Sequence, residues 1–224
     1  MKISILTLFP DMFSGPFSSS IVKRAQEKHA VTIEYVNIRE FATDKYKSVD
    51  DHPYGGGVGM ILRVDIIDRA LQKVKGHTIL LDPQGTPYTQ KKARELSKLK
   101  HIVLICGHYE GVDERVRSLI DEEISVGDYI LSGGEIPAMV IVDSVVRLLV
   151  GVLQKTGATD AESFEAGMLE YSQYTRPQTY KKNSVPTVLL SGNHAQIALW
   201  REKQARAKTQ ERRPDLLTAK RGSP

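Results

Sequence analysis

The most informative stretch of the sequence for the fold is Ser125-Val126-Gly127-Asp128-Tyr129-Ile130-Leu131-Ser132-Gly133-Gly134-Glu135-Ile136-Pro137-Ala138-Met139. This order of residues predicts the end of a strand, a glycine-bearing loop and the start of a helix. Gly133 and Gly134 permit a close backbone approach, and Pro137 fits the first turn of a helix, where its missing N–H is not needed. The helix predicted over residues 136–153 is apolar on nearly every side, which indicates burial all round.

A loop rich in free N–H groups above a buried helix can hold a small molecule. The same residues also fit a tight turn that needs glycine only for its backbone conformation. Because lone glycine motifs are weak evidence, the stretch by itself leaves both interpretations open.

The composition indicates a globular protein of one domain, or of one domain with a smaller second unit. The chain has 224 residues, of which 41% are hydrophobic and 26% are charged, and both values are ordinary. The single cysteine, Cys106, excludes an internal disulfide framework and suits a reducing cytosol. Residues 1–10 are too short for a signal sequence and predict a first strand. Charges interrupt every long apolar run, so no membrane span is expected.

Charge is distributed unevenly along the chain. From Arg176 to the end there are 11 Lys or Arg against 3 acids, whereas the whole chain carries a net charge of only +4. A basic tail on a mildly acidic body favours an anionic partner, most often a nucleic acid. A solvated charged helix is the alternative that charge alone leaves open.

Strands and helices alternate along the first two thirds of the chain. Apolar runs predict strands over residues 2–8, 32–38, 78–81, 102–105 and 124–126. Helical spacing predicts helices over residues 18–29, 64–75, 90–99 and 194–208, and one from about residue 113. This alternation predicts a parallel sheet covered on both faces. Three loops then fall at carboxyl ends of strands, where such sheets bind ligands, and this convergence favours a ligand site.

Two segments lack any periodic pattern. Residues 42–59 contain Gly55-Gly56-Gly57-Val58-Gly59, and a long loop of this kind is either functional or disordered. Residues 154–172 form a polar linker of small residues. The unit beyond this linker is too small to form a sufficient hydrophobic core alone, so we expect it to pack against the first domain or another subunit.

Short motifs follow one another in a fixed order along nearly the whole chain. They are Thr7-Leu8-Phe9-Pro10, Pro53-Tyr54-Gly55-Gly56-Gly57, Asp82-Pro83-Gln84-Gly85, Cys106-Gly107-His108-Tyr109-Glu110-Gly111, the stretch quoted first, Tyr174-Thr175-Arg176-Pro177, Ser191-Gly192-Asn193-His194 and Arg212-Arg213-Pro214. With these motifs the chain resembles the bacterial tRNA (guanine-N(1)-)-methyltransferases of the TrmD family, which modify the guanosine immediately 3′ of the anticodon. Many spaced motifs in one order are far more specific than a single glycine loop.

The resemblance implies an α/β fold of the SPOUT methyltransferase class, with a trefoil-knotted parallel-sheet domain over residues 1–153. A flexible linker over residues 154–172 and a small, mostly helical, basic tRNA-binding domain over residues 173–224 would follow. The resemblance also implies a cytoplasmic homodimer with the active site between subunits. Pattern reasoning alone would not propose a knot, because knotted chains are rare.

The resemblance further implies that S-adenosylmethionine binds in a bent pose within three glycine-bearing loops. The cofactor-binding residues that it implies are Asp82, Pro83, Gln84, Gly107, Tyr109, Glu110, Gly111, Val126, Gly127, Asp128, Tyr129, Ile130, Leu131, Gly133, Gly134 and Pro137. Backbone N–H and C=O groups can form hydrogen bonds with the edge of an adenine. This explains why the site is rich in glycines, which permit a close backbone approach, rather than in charged side chains. Magnesium is expected from the family, although the sequence shows no set of ligands for it.

The chemistry calls for a base and a cation. Nitrogen 1 of guanine bears a proton at neutral pH, so a carboxylate of raised basicity is a suitable general base. Negative charge then develops toward the guanine carbonyl oxygen and needs a cationic donor. The resemblance implies Glu162 as the base, and Arg147, within an apolar helix, suits the second role. A buried pair of Arg147 with Asp143 at i, i+4 spacing, and a solvated linker acid at 162, are the alternatives.

Three positions depart from the family's pattern. Glu162 stands where the family has aspartate, so Asp160 is the substitute to test if Glu162 proves dispensable. His108 stands where arginine is common, which could alter contacts to the substrate. Val58 replaces a proline and is expected only to loosen the loop.

For RNA, the expected contacts are basic side chains that track phosphates, together with the glycine-rich loop. The substrate-binding residues predicted in this way are Gly55, Gly56, Gly57, Gly59, Arg176, His194 and Arg201. His194 could equally cap the helix that follows it. A non-catalytic RNA-binding protein on the same fold is the alternative function. A phosphate loop at residues 53–59 is disfavoured because no Lys-Ser or Lys-Thr follows the glycines.

Overall fold

The computed structural model describes residues 1–153, 159 and 161–218. Within it the chain divides into two compact units, Met1–Gln154 and Lys155–Pro224. The strands are β1 (Lys2–Thr7), β2 (Thr32–Asn37), β3 (Asp50–Asp51), β4 (Ile61–Leu62), β5 (His77–Pro87), β6 (His101–Cys106), β7 (Glu122–Ser125), β8 (Thr179–Tyr180) and β9 (Asn183–Ser184). The α-helices are α1 (Ser14–Phe17), α2 (Ser20–Glu27), α3 (Val64–Lys73), α4 (Gln90–Leu96), α5 (Glu135–Val146), α6 (Thr187–Leu190), α7 (His194–Arg212) and α8 (Asp215–Thr218).

The first unit is organised by a five-stranded parallel sheet in the order β2-β1-β6-β5-β7. Successive residues of the central strand β6 face opposite sides of the sheet. Ile102 and Leu104 belong to one core with α2, α4 and α5, whereas Val103 and Ile105 belong to a second core with α3. Because both faces are buried, the strands read as continuous apolar runs. The predicted α/β class and parallel sheet are confirmed.

Strand β5 is longer than predicted, since it continues from His77 through the expected loop to Pro87. Leu81 and Thr86 both pair with Ile124 of β7, so the residues between them form an irregularity within the strand. Gly85 permits this arrangement: a Cβ there would lie 2.5 Å from the backbone nitrogen of Ile124. The motif at residues 82–85 is therefore part of the sheet edge rather than a loop that follows a finished strand.

Helix α5 ends at Val146, not at Leu153 as predicted. The backbone N–H groups of Leu148 and Leu149 donate to the carbonyls three residues earlier, at 3.0 and 3.1 Å. Such i to i+3 bonds tighten a helix end and satisfy its last carbonyls. Arg147 consequently lies at the C-cap of the helix rather than inside it.

The prediction that α5 is buried all round is also wrong. Ile136 and Val140 are 44% and 45% exposed, and Asp143 is exposed as well. Their spacing of four and three residues places all three on one stripe of the helix. An apolar sequence does not distinguish burial in the subunit's own core from an uncovered apolar face.

Two further predictions differ in detail. The helix expected from residue 113 is a 3₁₀ helix, Glu114–Leu119, whose N-terminus is capped by the Asp113 carboxylate accepting from the Arg115 N–H at 2.9 Å. Its length is limited because β7 begins shortly afterwards. Within residues 42–59, β3 pairs with β4 and the Asp44 carboxylate accepts from the Ser48 N–H and hydroxyl, so this loop has local structure of its own.

The second unit is mostly helical, as predicted. Its elements are α6, α7 and α8, with a hairpin formed by β8 and β9. Among its described residues only Ala205 and Thr209 are buried. The predicted linker over 154–172 lies partly outside the described residues. No helix in the described part of the chain is both long and apolar enough to cross a membrane.

Candidate active site

A cavity of about 480 Å³ opens at the carboxyl ends of β5, β6 and β7. Its walls are Leu81, Asp82, Pro83, Gln84, Gly107, His108, Tyr109, Glu110, Gly111, Ile124, Ser125, Val126, Gly127, Tyr129, Ile130, Leu131, Ser132, Gly133, Gly134 and Pro137. This volume lies in the range of small-molecule sites. The geometry favours a ligand site over a glycine turn without further function.

The structure brings together all the predicted cofactor residues except Asp128, which does not line the cavity. Five lining residues were not predicted: Leu81, His108, Ile124, Ser125 and Ser132. Ile124 and Ser125 lie at the end of β7 and Leu81 lies within β5, so the strands themselves reach the cavity. The role of the whole set in cofactor binding stays a prediction.

The close approach of two loops depends on Gly134. Its N–H donates to the carbonyl of Gly107 at 2.8 Å. A Cβ on Gly134 would lie 2.6 Å from the Cα of Cys106 and 2.9 Å from the nitrogen of Gly107. These contacts are with backbone, which cannot rotate away, so only glycine fits without displacing one loop from the other.

A buried carboxylate lies behind the cavity wall. Glu135 is only 2% exposed, and its Oε1 accepts a hydrogen bond of 2.7 Å from the hydroxyl of Thr7 on β1. The same hydroxyl oxygen accepts from the N–H of Phe9 at 2.9 Å. Glu135 stands in the first turn of α5, where the helix dipole favours negative charge. This chain of hydrogen bonds fixes the start of α5 to the end of β1.

Near this carboxylate, Cys106 is completely buried at the end of β6. Burial raises the pKa of the Cys106 thiol well above its usual range, and the negative charge of Glu135 adds to the increase. The thiol therefore stays protonated and acts as a small apolar group in the core.

His108 has an unusual position in the wall. Its ring centroid lies 4.9 Å from that of Phe9 and 4.9 Å from that of Tyr109. Its Nδ1 is buried and has no hydrogen-bond partner among the described residues. Buried polar atoms are nearly always paired, so a ligand in the cavity is a candidate partner for this nitrogen.

The charged side chains in the wall carry a consistent sign. Asp82 and Glu110 line the cavity, and among the described residues that form it there is no lysine or arginine. Asp82 also shapes its own loop, since its Oδ1 accepts from the N–H of Gln84 at 2.8 Å. The cavity therefore suits a ligand with positive charge better than a polyphosphate.

The glycine-rich loop lies against one of these acids. The N–H of Glu110 donates to the carbonyl of Met60 at 3.0 Å, and the N–H of Leu62 donates to the carbonyl of Gly111 at 3.0 Å. Tyr54, at the tip of the loop, is fully exposed. Met60 and Leu62, which directly follow the predicted substrate residues Gly55, Gly56, Gly57 and Gly59, are thus hydrogen-bonded to a cavity loop. The substrate role of the four glycines stays a prediction.

A metal site cannot be assigned. Within residues 1–153, 159 and 161–218, no group of three or more His, Cys, Asp or Glu side chains is arranged to hold a metal ion. The magnesium expected from the family resemblance therefore has no ligand set here, and we derive no step through it.

Comparison with known proteins identifies the family. The family model of tRNA (guanine-1)-methyltransferase TrmD matches residues 1–219. A tRNA (guanine-N(1)-)-methyltransferase of Geobacillus kaustophilus is 59% identical over 223 residues, covering 97% of this chain and 91% of the relative. One of Carboxydothermus hydrogenoformans is 57% identical over 221 residues, covering 97% and 87%. The chain belongs to the tRNA (guanine-1)-methyltransferase family. Members of this family are enzymes by name, which supports the catalytic interpretation over the non-catalytic one.

In this member of the methyltransferase family, the two predicted catalytic residues belong to different units. Arg147 is half-buried at the end of α5, and its backbone N–H donates to the carbonyl of Asp143 at 3.2 Å. A cation at this end of a helix is favoured by the helix dipole. Glu162 belongs to the second unit, and its catalytic role, like that of Arg147, stays a prediction. Asp160, the substitute base, lies outside the described residues.

The segment that carries Glu162 is attached to helix α7. The hydroxyl of Thr209 accepts from the N–H of Leu169 at 2.9 Å and donates to the carbonyl of Ala205 at 2.7 Å. The ammonium of Lys208 donates to the carbonyl of Glu170 at 3.2 Å. Although the sequence predicted a linker here, Leu169 and Glu170 are hydrogen-bonded to the helix of their own unit, and the Glu170 N–H donates to the hydroxyl of Ser163 at 3.0 Å.

The second unit of this methyltransferase family member has its own cavity, of about 480 Å³. It brings together two of the predicted RNA-binding residues, Arg176 and Arg201. His194 does not line it and is the first residue of α7, which is capped by the Asn193 side chain accepting from the Gln196 N–H at 3.1 Å. The alternative that His194 caps the helix is therefore wrong.

Sequence reasoning missed Thr7 and Glu135. Glu135 follows two glycines at a predicted helix start, where an acid is expected on a solvent-exposed first turn. The position of Glu135 within an otherwise apolar stretch could have indicated a buried acid. Its partner Thr7, however, lies more than a hundred residues away on β1. Only the tertiary structure reveals that the two side chains form one buried pair.

Proposed function

We propose that this protein transfers the methyl group of S-adenosylmethionine to nitrogen 1 of the guanosine immediately 3′ of the anticodon in tRNA. The observation that carries the proposal is the cavity at the strand ends, with acidic and glycine-rich walls, in a chain of the tRNA (guanine-1)-methyltransferase family. A bound nucleoside triphosphate is disfavoured, because no described lysine or arginine lines this cavity.

The residues of the cavity fit S-adenosylmethionine. Asp82 and Glu110 complement the positive charges of its sulfonium and amino groups. The backbone around Gly107 and Gly134 offers N–H and C=O groups to an adenine edge, and the unpaired Nδ1 of His108 is a further polar partner. When bound, this cofactor supplies an electrophilic methyl group on a positively charged sulfur.

Two side chains of the protein carry the chemistry in this proposal. The carboxylate of Glu162 accepts the proton of guanine nitrogen 1, and the freed electron pair of that nitrogen takes the methyl group. Arg147 donates to the guanine carbonyl oxygen, where negative charge develops as the proton leaves. The cofactor, when bound, would keep the electron pair of its carbon–sulfur bond and become a neutral thioether, so the proton taken up by Glu162 leaves the charges balanced.

We also propose a homodimer with the active site between subunits and a trefoil knot in the first unit. Exposed Ile136 and Val140 on α5 support the dimer, because they form an apolar stripe beside Pro137 of the cavity wall. Sedimentation equilibrium should give twice the chain mass, and I136E should shift it toward the monomer. The proposed substrate places the protein in the cytoplasm.

The experiment that tests the function is transfer of labelled methyl from S-adenosylmethionine to a tRNA transcript. A matched transcript carries adenosine in place of the guanosine 3′ of the anticodon. Label in the first transcript and none in the second is the expected result. Equal label in both would contradict the position, and no label in either, with both ligands bound, would favour the non-catalytic RNA-binding alternative.

A further inference from the structure

The lining of the second unit's cavity does not include the two residues of the proposed chemistry. This cavity is lined wholly by residues between Tyr171 and Arg201. Neither Arg147 nor Glu162 lines it. The guanine that is methylated must lie within hydrogen-bond reach of its general base, so a base held in this cavity is a different one.

The charge of this cavity indicates an anionic ligand. Arg176 and Arg201 line it, and among its described lining residues there is no aspartate or glutamate. Arginine donors of this kind pair with phosphate oxygens. The sign is opposite to that of the cofactor cavity, where two carboxylates stand without lysine or arginine.

Planar side chains in the wall of this cavity indicate that the ligand contains a base as well as a phosphate. The guanidinium carbon of Arg201 lies 4.8 Å from the ring centroid of Tyr171, which holds the guanidinium plane in place. Tyr174 also lines the cavity, and its ring centroid lies 6.4 Å from that of Trp200. Unstacked bases of RNA stack on aromatic rings and on arginine planes of this kind.

The rest of the lining fits a base as well. Val185, Leu189 and Ile197 give one side of the cavity an apolar surface, which a phosphate alone would not need. Gln173 and Gln178 carry amide groups with both donors and acceptors, as recognition of a base edge requires. The lining therefore offers positive charge for a phosphate, planar and apolar groups for a base, and amides for the base edge. These are the groups that binding of one nucleotide requires.

We propose that this cavity binds an unstacked nucleotide of the tRNA other than the guanosine that is methylated. The proposal rests on tRNA being the substrate, as proposed above. Binding of this second nucleotide anchors the anticodon loop to the second unit and acts on substrate affinity rather than on the methyl-transfer step.

The test combines a scan of the RNA with a variant of the protein. Each anticodon-loop nucleotide except the target is replaced in turn by an abasic nucleotide, and kcat and KM are measured for the wild type and R201Q. We expect one abasic position to raise KM by about tenfold in the wild type. R201Q should raise KM for intact tRNA by a similar factor, and that abasic position should then add little.

Two variants separate base stacking from charge. K203Q removes one positive charge from an exposed position of the same helix, and it should leave the effect of every abasic position unchanged. R201K keeps the charge without the plane, so its KM should be as insensitive to the abasic position as that of R201Q. If wild type methylates tRNA but no abasic position is coupled to Arg201, the inference is overturned while the proposed function stands.

Fluorescence of Trp200, the one tryptophan of the chain, tests occupancy without catalysis. An anticodon stem-loop RNA should quench it because Tyr174, in the cavity wall, contacts the indole. The same hairpin carrying an abasic nucleotide at one loop position should lose the quenching. If no single position matters, the inference fails, and this holds even if the wild type transfers no methyl group and the proposed function fails as well.

Discussion

The two cavities are similar in volume but opposite in construction. The lining of the first includes five glycines and two carboxylates, and this cavity lies beside a sheet buried on both faces. The second is walled by long side chains, including two arginines, in a unit with only Ala205 and Thr209 buried among its described residues. A site supported by a large buried core suits one small ligand of fixed shape. Long side chains on a unit with few buried residues suit RNA.

This difference predicts where substitutions act. Changes to backbone spacing in the first unit should weaken cofactor binding, because a packed core transmits a displacement. Changes in the second unit should act through individual hydrogen bonds, charges and catalytic groups. The following expectations test that division, in order of decreasing effect.

The largest effect is expected at Glu162. E162Q removes the proposed general base, so kcat should fall by about 10²–10⁴-fold while S-adenosylmethionine binding stays unchanged. E162D, which has the residue usual in the family, should retain most of the activity. E202Q, at an exposed acid of α7, is the matched control, measured in the same labelled-methyl assay. An active E162Q would instead make Asp160 the base to test.

Next in size is the backbone contact at Gly134. G134A places a Cβ 2.6 Å from the Cα of Cys106, and relieving such overpacking costs about 1–3 kcal/mol. Isothermal titration should therefore show S-adenosylmethionine binding weakened by about tenfold to 100-fold. G15A is the control, because nothing lies within 4 Å of the added atom there. Unchanged binding in G134A would show that the loops are not fixed by this contact.

The next prediction concerns the contribution of the buried hydrogen bond from Thr7 to Glu135 to the stability of the first unit. T7V leaves a buried carboxylate oxygen without its donor, which should lower the free energy of unfolding by about 1–3 kcal/mol. T7S keeps the hydroxyl and should lose much less. Urea unfolding followed by circular dichroism distinguishes the two variants, and equal losses would mean that the methyl group of Thr7 matters instead.

The corresponding test in the second unit is at Thr209. T209V removes both hydrogen bonds of the hydroxyl and should cost about 1 kcal/mol. A lower kcat is expected because the segment of Glu162 then loses one of its two described hydrogen bonds to α7 and keeps only that from Lys208. T209S should behave as the wild type in the methyl-transfer assay. Stability lost without any change in kcat would separate this attachment from catalysis.

The smallest effect concerns pH. Hydrogen bonds from the backbone N–H and the hydroxyl of Thr78, both 2.7 Å, lower the pKa of Asp121 below its usual value. A lowered folded-state pKa contributes stability that is present above the unfolded pKa, about 4, and is lost as pH falls through the folded value. D121N should therefore flatten the acid side of the stability profile, measured as melting temperature from pH 6 to pH 2. D11N, at an exposed acid, should leave the profile unchanged.

The parallel α/β sheet follows from the sequence alone, because apolar runs bounded by glycine and proline specify buried strands locally. The strand pattern also placed ligand binding at the carboxyl ends of the strands, but the individual residues that line the first cavity came from the family resemblance. Motif order supplied the family, which no single loop could have given.

Features that join distant residues depend on the tertiary structure. The pairing of Thr7 with Glu135 and the course of β5 through residues 82–85 both depend on neighbours far away in sequence. Arg176 and Arg201 likewise read as separate charges until folding placed both at one cavity. Local propensity specifies elements, whereas packing across the chain selects where they end and which polar groups share a site.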